Sequence, residues 1–567
     1  MPPPKPELVP EPWLPEVPPP KLPRGPSAVS RALRRVRREA RSIALVVRTN
    51  AREYAGRPTQ RALAISLPRW LDAVVLALMA LVAASLVANG FGAAAHPEAS
   101  AVYLASRLAA GAKALGGAPS GAWPGEVALL TLFALVQLSG WAAAQALAAT
   151  SFAATAILAF LTARASGRVA RLVAPAAMLF AYEPLVHATR PTATTFAMPL
   201  VAGALFALVR RRARLAAALG ALASLACPAA FPVALVLLAL VPEGESRVRP
   251  RTVVVFGAAL VLGLGLLVAL TGTHAFADSI RLFFSAPMPG SRLRLEALAE
   301  SSGGWLALAF VAPIVVERER RRLALALAMG GLVPVVLVVA GRCEPWCVLP
   351  AWPLVALAAA LAVEAAARRY VAWSRDGRAA RPARVAIATV GVVLLFGASI
   401  DRLGPVPELP HPGLHAKAPP TAWGAMARAM FWEAEYPAGG RPGLLTQALW
   451  KLDERAPAVD GLARAVTSES GPADVMAGAG PIAALVAMKT GRPLALNLAD
   501  DGLARLPAAE LASLRARLEA TRPALVLSST HGLFQRAAFA SWLRARYRVA
   551  GTFADGAGGW VYVQLRR

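Results

Sequence analysis

His96-Pro97-Glu98-Ala99-Ser100-Ala101-Val102-Tyr103, running on to Arg107 and Gly111, follows the apolar run 71–90. An imidazole, a carboxylate and a phenol therefore stand where the chain first turns polar, after a stretch long enough to cross a hydrocarbon layer of ~30 Å at ~1.5 Å per residue. The same alternation continues through the chain. Of 567 residues 57% are hydrophobic and only 16% charged, and the charges gather in short clusters between apolar stretches of roughly 16–28 residues, each a candidate span. The fold class this predicts is a polytopic α-helical membrane protein.

The net charge of +27 would suit a nucleic-acid partner if the basic residues formed one face. Instead the arginines mark the ends of apolar runs, as the positive-inside rule requires, where they also meet anionic lipid head groups. Membrane lipids are thus expected partners and nucleic acid is not. No P-loop, dinucleotide fingerprint or HExxH is present, so nucleotide hydrolysis and zinc proteolysis have no support. Three cysteines occur. Cys227 lies in an apolar run, whereas Cys343 and Cys347 flank a very short loop in which a local disulfide and two free thiols both stay open; no metal-ligand spacing is seen.

Residues 1–30 are a proline-rich tail that cannot bury a core, and 31–70 are a basic segment suited to the inner leaflet. The first apolar run starts only at Leu71, which predicts no signal peptide and a cytoplasmic amino terminus. From there the chain reads as about 11 transmembrane helices within 71–402, with outer loops at 91–125 and 273–304. The run 126–163 is too long for one span and divides into a surface helix from Glu126 to about Leu147 and a return at 148–163. Spans follow at 172–189, 193–209, 252–272, 305–316, 323–340, 347–366 and 385–400. Basic residues at both ends of 215–241, with Cys227-Pro228 between, predict a helical pair that enters and returns. A proline-rich linker, 403–420, leads to a soluble α/β domain, 421–567, with a mainly parallel sheet on the outer face. Strands are expected at ADVMAGAG, RPLALNL, PALVLSST, RVAGTFAD and WVYVQL.

Three segments together resemble the GT-C class of polytopic glycosyltransferases, in particular the protein O-mannosyltransferases and the lipid A aminoarabinose transferase. Pro97-Glu98-Ala99 through Tyr103, Leu108 and Gly111 is similar to the family's first outer loop, with Pro97-Glu98 where the family has Asp-Glu. Glu183-Pro184 to Arg190-Pro191 resembles its second outer corner, and Arg342, Trp346, Leu349-Pro350 and Pro353-Leu354 its basic-aromatic segment. The resemblance implies sugar transfer from a polyprenyl-phosphate donor to a lipid, glycan or protein at the outer face of the plasma (inner) membrane, with the α/β domain extracytoplasmic.

Such transfer needs a base beside the acceptor hydroxyl and positive charge for the departing phosphate. The resemblance implies Glu98 as base with His96 as its partner or replacement, and Arg342 with Arg190 at the donor phosphate. Tyr103, Glu183, His187 and Trp346 would border the substrates. No metal ligand is assigned, and a divalent metal stays open as a cofactor. Each residue also has a plainer role. Glu98 would cap the helix after Pro97, the arginines would reach head groups, and Glu183 would pair with Arg190 or line a cavity at membrane depth. A catalytically degenerate scaffold binding lipid-linked sugar or a partner is the alternative to an enzyme. A transporter is a more remote one, because mid-span ionisable residues are few and no inverted repeat is visible.

Overall fold

The computed structural model describes residues 69–90, 98–111, 123–136, 140–179, 181–240, 248–273, 276–277, 304–339, 345–375, 459–498, 508–530, 532–554 and 560–567. The expectations for the amino-terminal 68 residues, His96, Pro97, Arg342, Cys343, the span at 385–400 and the linker 403–420 fall outside them.

The apolar runs form helices. In chain order these are α1 (Arg69–Gly90), α2 (Ala99–Ala109), α3 (Pro124–Leu135), α4 (Trp141–Ala163), α5 (Ala170–Leu179), α6 (Tyr182–Val186), α7 (Ala193–Val209), α8 (Ala213–Ala226), α9 (Ala230–Ala239) and α10 (Val248–Thr271). Then come α11 (Gly304–Val315), α12 (Arg318–Val339) and α13 (Trp352–Arg375), the last preceded by a 3-10 turn at Pro345–Ala351. Four of the described helical stretches are long and apolar enough to cross a membrane: Trp141–Ala163, Pro250–Leu270, Arg320–Val339 and Cys347–Arg368. The chain is a polytopic membrane protein.

The expected division of 126–163 moves. The helix break lies at Gly140, whose φ of +99° is a conformation that glycine adopts without cost. α3 is therefore a short helix of 12 residues and α4 a full span of 23. The break expected at Cys227-Pro228 is present, with Cys227 extended between α8 and α9. The two fold back on each other, so that a Cβ on Gly220 would lie 3.3 Å from that of Ala234.

Small side chains let these helices approach closely, as expected where lipid leaves packing, not water exclusion, to hold helices together. α13 is the central helix, with Ala356, Ala358, Ala359 and Ala360 wholly buried and Trp352 donating from Nε1 to the Ala177 carbonyl at 2.7 Å. At the arginine-rich end, Glu364 accepts from the Val169 and Ala170 N–H groups (2.9 and 3.1 Å) and from Arg368 Nε (2.9 Å). One carboxylate thereby satisfies the first donors of α5 and neutralises a cation, and Asp72 pairs with Arg171 nearby.

Beyond the bundle, residues 459–567 supply α14 (Val459–Glu469), β1 (Met476–Gly478), α15 (Pro481–Thr490), α16 (Ala508–Ala520), β2 (Leu525–Ser529), α17 (Ala537–Arg546), β3 (Tyr547–Ala554) and β4 (Trp560–Arg566). The sheet order is β1-β2-β4-β3. Only β1 and β2 are parallel; β4 runs antiparallel to both β2 and β3, so the sheet is mixed, not mainly parallel. The reason is the link from Ala554 to Trp560, too short for a crossover helix, which makes β3 and β4 a hairpin. RPLALNL forms no strand: Leu494 makes one bridge to Met476, and a 3-10 turn with Leu496 at φ +55° follows.

Candidate active site at the amino ends of α2, α3 and α7

Three helix starts converge. Glu98 stands at the N-cap of α2, Glu126 in the first turn of α3, and Thr192 at the N-cap of α7. With 11 and 12 residues, α2 and α3 reach only ~17–18 Å at ~1.5 Å per residue, too short to span, so the two carboxylates belong to the loop-bearing end of the bundle. Glu98 makes no side-chain cap bond, and its Oε2 is shielded from solvent with no hydrogen-bond partner. A cap role therefore does not account for this side chain.

Glu126 is buried and accepts from the Ala193 N–H at the start of α7. What fixes it is the close seat of α3 on the end of α8. A Cβ on Gly125 would overlap the Leu225 carbonyl, which also accepts from Trp123 Nε1 at 2.6 Å. Pro124 opens the helix at a position where no donor is lost.

The two carboxyls feel one another. Burial raises Glu98, while Arg190 and the backbone hold it partly down. Burial raises Glu126 well above the ordinary value; the neighbouring Glu98 raises it further, and the Ala193 N–H opposes this. Arg190 acts on Glu98, which favours the charged form of Glu98 over that of Glu126. Around them Thr192 Oγ1 meets the hydroxyls of Thr194 and Thr195 at 2.8 and 2.7 Å, and Thr195 Oγ1 donates to the His187 carbonyl at 3.2 Å. Arg190 follows directly on the turn made by α6, its N–H bonded to the same carbonyl at 3.1 Å.

No protein-family model matches the chain, and no curated protein matches it in sequence. Among solved structures, ArnT from Cupriavidus metallidurans in the apo state matches at a TM-score of 0.55 and 15% identity, over 87% of this chain and 97% of that one. The same protein bound to undecaprenyl phosphate matches at 0.56 and 15%, over 88% and 98%. The chain has a GT-C-type fold.

Within that GT-C fold the residues expected from sequence separate into groups. Glu98 and Arg190 come together. Glu183 and His187, both buried on the corner between α5 and α7, lie 3.7 Å apart (Oε2 to Nε2). Trp346 lies in the 3-10 turn leading into α13.

Tyr103 faces elsewhere. Its hydroxyl accepts the Leu494 N–H at 2.7 Å, which ties α2 to the segment after α15, and burial raises its phenol so that it stays protonated. Its polar end is thus committed to the junction between the bundle and the sheet unit. Tyr103→Phe would leave the Leu494 N–H unpaired in a buried contact, at a cost of about 1–3 kcal/mol. The expected result is faster hydrogen exchange at Leu494, together with a lower Tm.

Glu126 was expected only as the start of a surface helix. The signal was present nonetheless, since it is the sole charged residue between Lys113 and Arg164. A lone carboxylate in so apolar a stretch is costly unless it has a role. As for a metal, no group of three or more His, Cys, Asp or Glu able to hold one is found among the described residues. Two carboxyls with a guanidinium beside them are an incomplete ligand set for a metal.

Proposed function

We propose that the protein is an integral-membrane glycosyltransferase that moves a sugar from a polyprenyl-phosphate donor to an acceptor hydroxyl at the outer face of the membrane. The observation that carries this reading is the convergence of two buried, unequally acidic carboxyls with Arg190 at the loop-bearing end of a GT-C-type bundle. The likeness to ArnT bound to undecaprenyl phosphate supports a polyprenyl-linked lipid as partner.

In the proposed reaction, Glu98 takes the proton of the acceptor hydroxyl as its oxygen bonds to the anomeric carbon. The bond from that carbon to the phosphate oxygen breaks, and the electron pair leaves on polyprenyl phosphate. Arg190, with Arg342 proposed from the sequence, supplies the positive charge that stabilises this leaving group. Burial favours the neutral form of Glu126, which then donates a hydrogen bond, an arrangement in which two carboxyls in different surroundings divide acid and base roles. His96 would sit beside the base, and Glu183, His187 and Trp346 would border the substrates.

The test is sugar transfer from radiolabelled polyprenyl-phosphate sugars by the purified protein in detergent. Transfer supports the reading. Donor binding with no transfer from any donor or to any acceptor class would favour a binding scaffold instead.

The pairing also makes a stability prediction. Because burial and Glu98 raise Glu126 in the folded protein above its ordinary 4.5, the folded state binds a proton the unfolded chain has released. Its contribution is complete below pH 4.5 and is lost as pH rises toward the folded value, by up to ~1.4 kcal/mol per pH unit. Glu126→Gln removes this loss. Its Tm should match the wild type near pH 4 and exceed it increasingly as pH rises above 4.5, until the raised carboxyl of the wild type has titrated. Equal pH slopes for the two proteins would show that Glu126 titrates normally.

A further inference from the structure

Arg190 sits in a closed ring of hydrogen bonds. The His187 carbonyl accepts the Arg190 N–H at 3.1 Å, and the Arg190 carbonyl accepts the Thr192 N–H at 2.8 Å. Thr192 Oγ1 accepts the Thr195 N–H at 3.0 Å, and Thr195 Oγ1 donates back to the His187 carbonyl at 3.2 Å, which closes the ring. Both backbone polar groups of Arg190 are thus committed, and Pro191, with its φ fixed by the pyrrolidine, joins it to Thr192. The hydroxyl protons can be assigned in turn. A carbonyl cannot donate, so the one proton of Thr195 goes to His187. In the 2.7 Å contact between Thr192 and Thr195 the proton is then that of Thr192, and in the 2.8 Å contact between Thr194 and Thr192 it is that of Thr194. The chain of donors runs from Thr194 through Thr192 to Thr195, and Thr195 is the link that reaches the corner bearing Arg190.

Helix capping explains Thr192, the N-cap of α7, whose oxygen takes the N–H of Thr195. It does not explain the hydroxyl of Thr195. That side chain is wholly buried, at a place that an apolar β-branched side chain of the same shape would fill without the cost of desolvating a hydroxyl. What the hydroxyl adds is the bond across the corner, from the start of α7 to the carbonyl that also holds Arg190. The same helix start supplies the Ala193 N–H to Glu126, so the arginine and one carboxyl are referred to a single piece of backbone.

We infer that Thr195 is a positioning residue for the arginine of the site: through the His187 carbonyl its hydroxyl holds Arg190 where the guanidinium charge reaches Glu98. The inference deepens the transferase reading above and rests on it for the role of Glu98 as base. Among the described residues, few other charged groups meet Glu98 from the helices packed against α2. α3 brings Glu126, α4 has no charged residue, and Lys489 of α15 is exposed and paired with Asp460. On α2 itself Arg107 acts on Tyr103, and on the corner Glu183 and His187 lie beside each other. Arg190 is therefore the cation whose displacement Glu98 would feel.

The experiment titrates the protonated-carboxyl band of Glu98 by infrared difference spectroscopy of the full-length protein in nanodiscs. Each spectrum is taken against its Glu98→Gln counterpart, with Glu126→Gln present throughout so that one carboxyl of the pair titrates. Thr195→Val should raise the midpoint of that band, in the direction in which Arg190→Gln raises it but less far, because the charge is moved and not removed. Thr195→Ser, which keeps the hydroxyl, should return the midpoint to that of the wild type. Added to Arg190→Gln, Thr195→Val should shift nothing further, since no guanidinium is left to position. In the protein that retains Glu98 and Glu126, Thr195→Val should lower transfer by up to about 10²-fold, the effect of a displacement of ~1 Å. A fall in transfer or Tm with the midpoint unmoved would make Thr195 a packing residue and overturn the inference. So would a shift that persists in Thr195→Ser, or one of equal size in the Arg190→Gln background. The infrared midpoint needs no sugar donor. A shift in Thr195→Val without transfer from any donor would therefore leave the hold on Arg190 standing and remove the transferase reading, whereas transfer with an unmoved midpoint would do the reverse.

Discussion

Glu98→Gln is expected to lower sugar transfer by about 10²–10⁴-fold, the usual range for removing a general base, with no loss of Tm: it should match the wild type near pH 4 and, because burial raises Glu98 as well, rise above it at higher pH. The amide matches the carboxylate in shape, and no cap is lost, because Glu98 bonds to no α2 N–H through its side chain. Oε2 has no partner to forfeit either. A residue kept for its cap would behave in the opposite way, costing stability and sparing activity. In the wild type, transfer should rise with pH through a midpoint above the ordinary carboxylate value of 4.5, since burial raises Glu98 despite Arg190. That limb should disappear in Glu98→Gln. Arg190→Gln should move the midpoint further up, because it removes the charge that holds Glu98 down. A variant that transfers at wild-type rate would place the base elsewhere.

How far the sequence could be read depended on whether the deciding interaction was local. The helix break at Cys227-Pro228 was legible because charge at both ends and a proline between them are features of one short stretch. The strands at 525–529, 547–554 and 560–566 fell where alternation and turn residues put them. Pairing was not legible in the same way. The sheet was expected to be mainly parallel because helices alternate with strands, yet the short link between β3 and β4 decides the hairpin. At the candidate site, Glu98 and Arg190 were visible through their neighbours in sequence. Glu126 acquires its meaning from Ala193 and Glu98, on other helices, and burial of that kind leaves no periodic trace. Tyr103 was expected at the substrates for its position beside the loop, whereas its hydroxyl is spent on Leu494, far along the chain.

That dependence on distant backbone makes Gly125 the position with the largest structural leverage on the site. A Cβ there would overlap the Leu225 carbonyl, and a backbone carbonyl at the end of α8 cannot swing aside as a side-chain tip can. At Gly478 the group met first is the Ala483 methyl, also tight but not backbone. Gly125→Ala must therefore lift the start of α3 off α8, break or stretch the bond from Trp123 Nε1 to that carbonyl, and carry Glu126 away from the Ala193 N–H. Overpacking of this sort costs about 1–3 kcal/mol, and a displacement of ~1 Å in a catalytic group lowers turnover by about 10²-fold. Transfer should thus fall about a hundredfold with a modest loss of Tm. The difference in pH slope between wild type and Glu126→Gln should vanish when each also carries Gly125→Ala, because Glu126 then reaches solvent and titrates near its ordinary value. Trp123→Phe separates the two causes. It removes the indole donor and keeps the glycine, so it should lower Tm while preserving the pH slope; if it abolishes the slope as well, the indole bond, not the close approach of Gly125, is what sets the depth of Glu126.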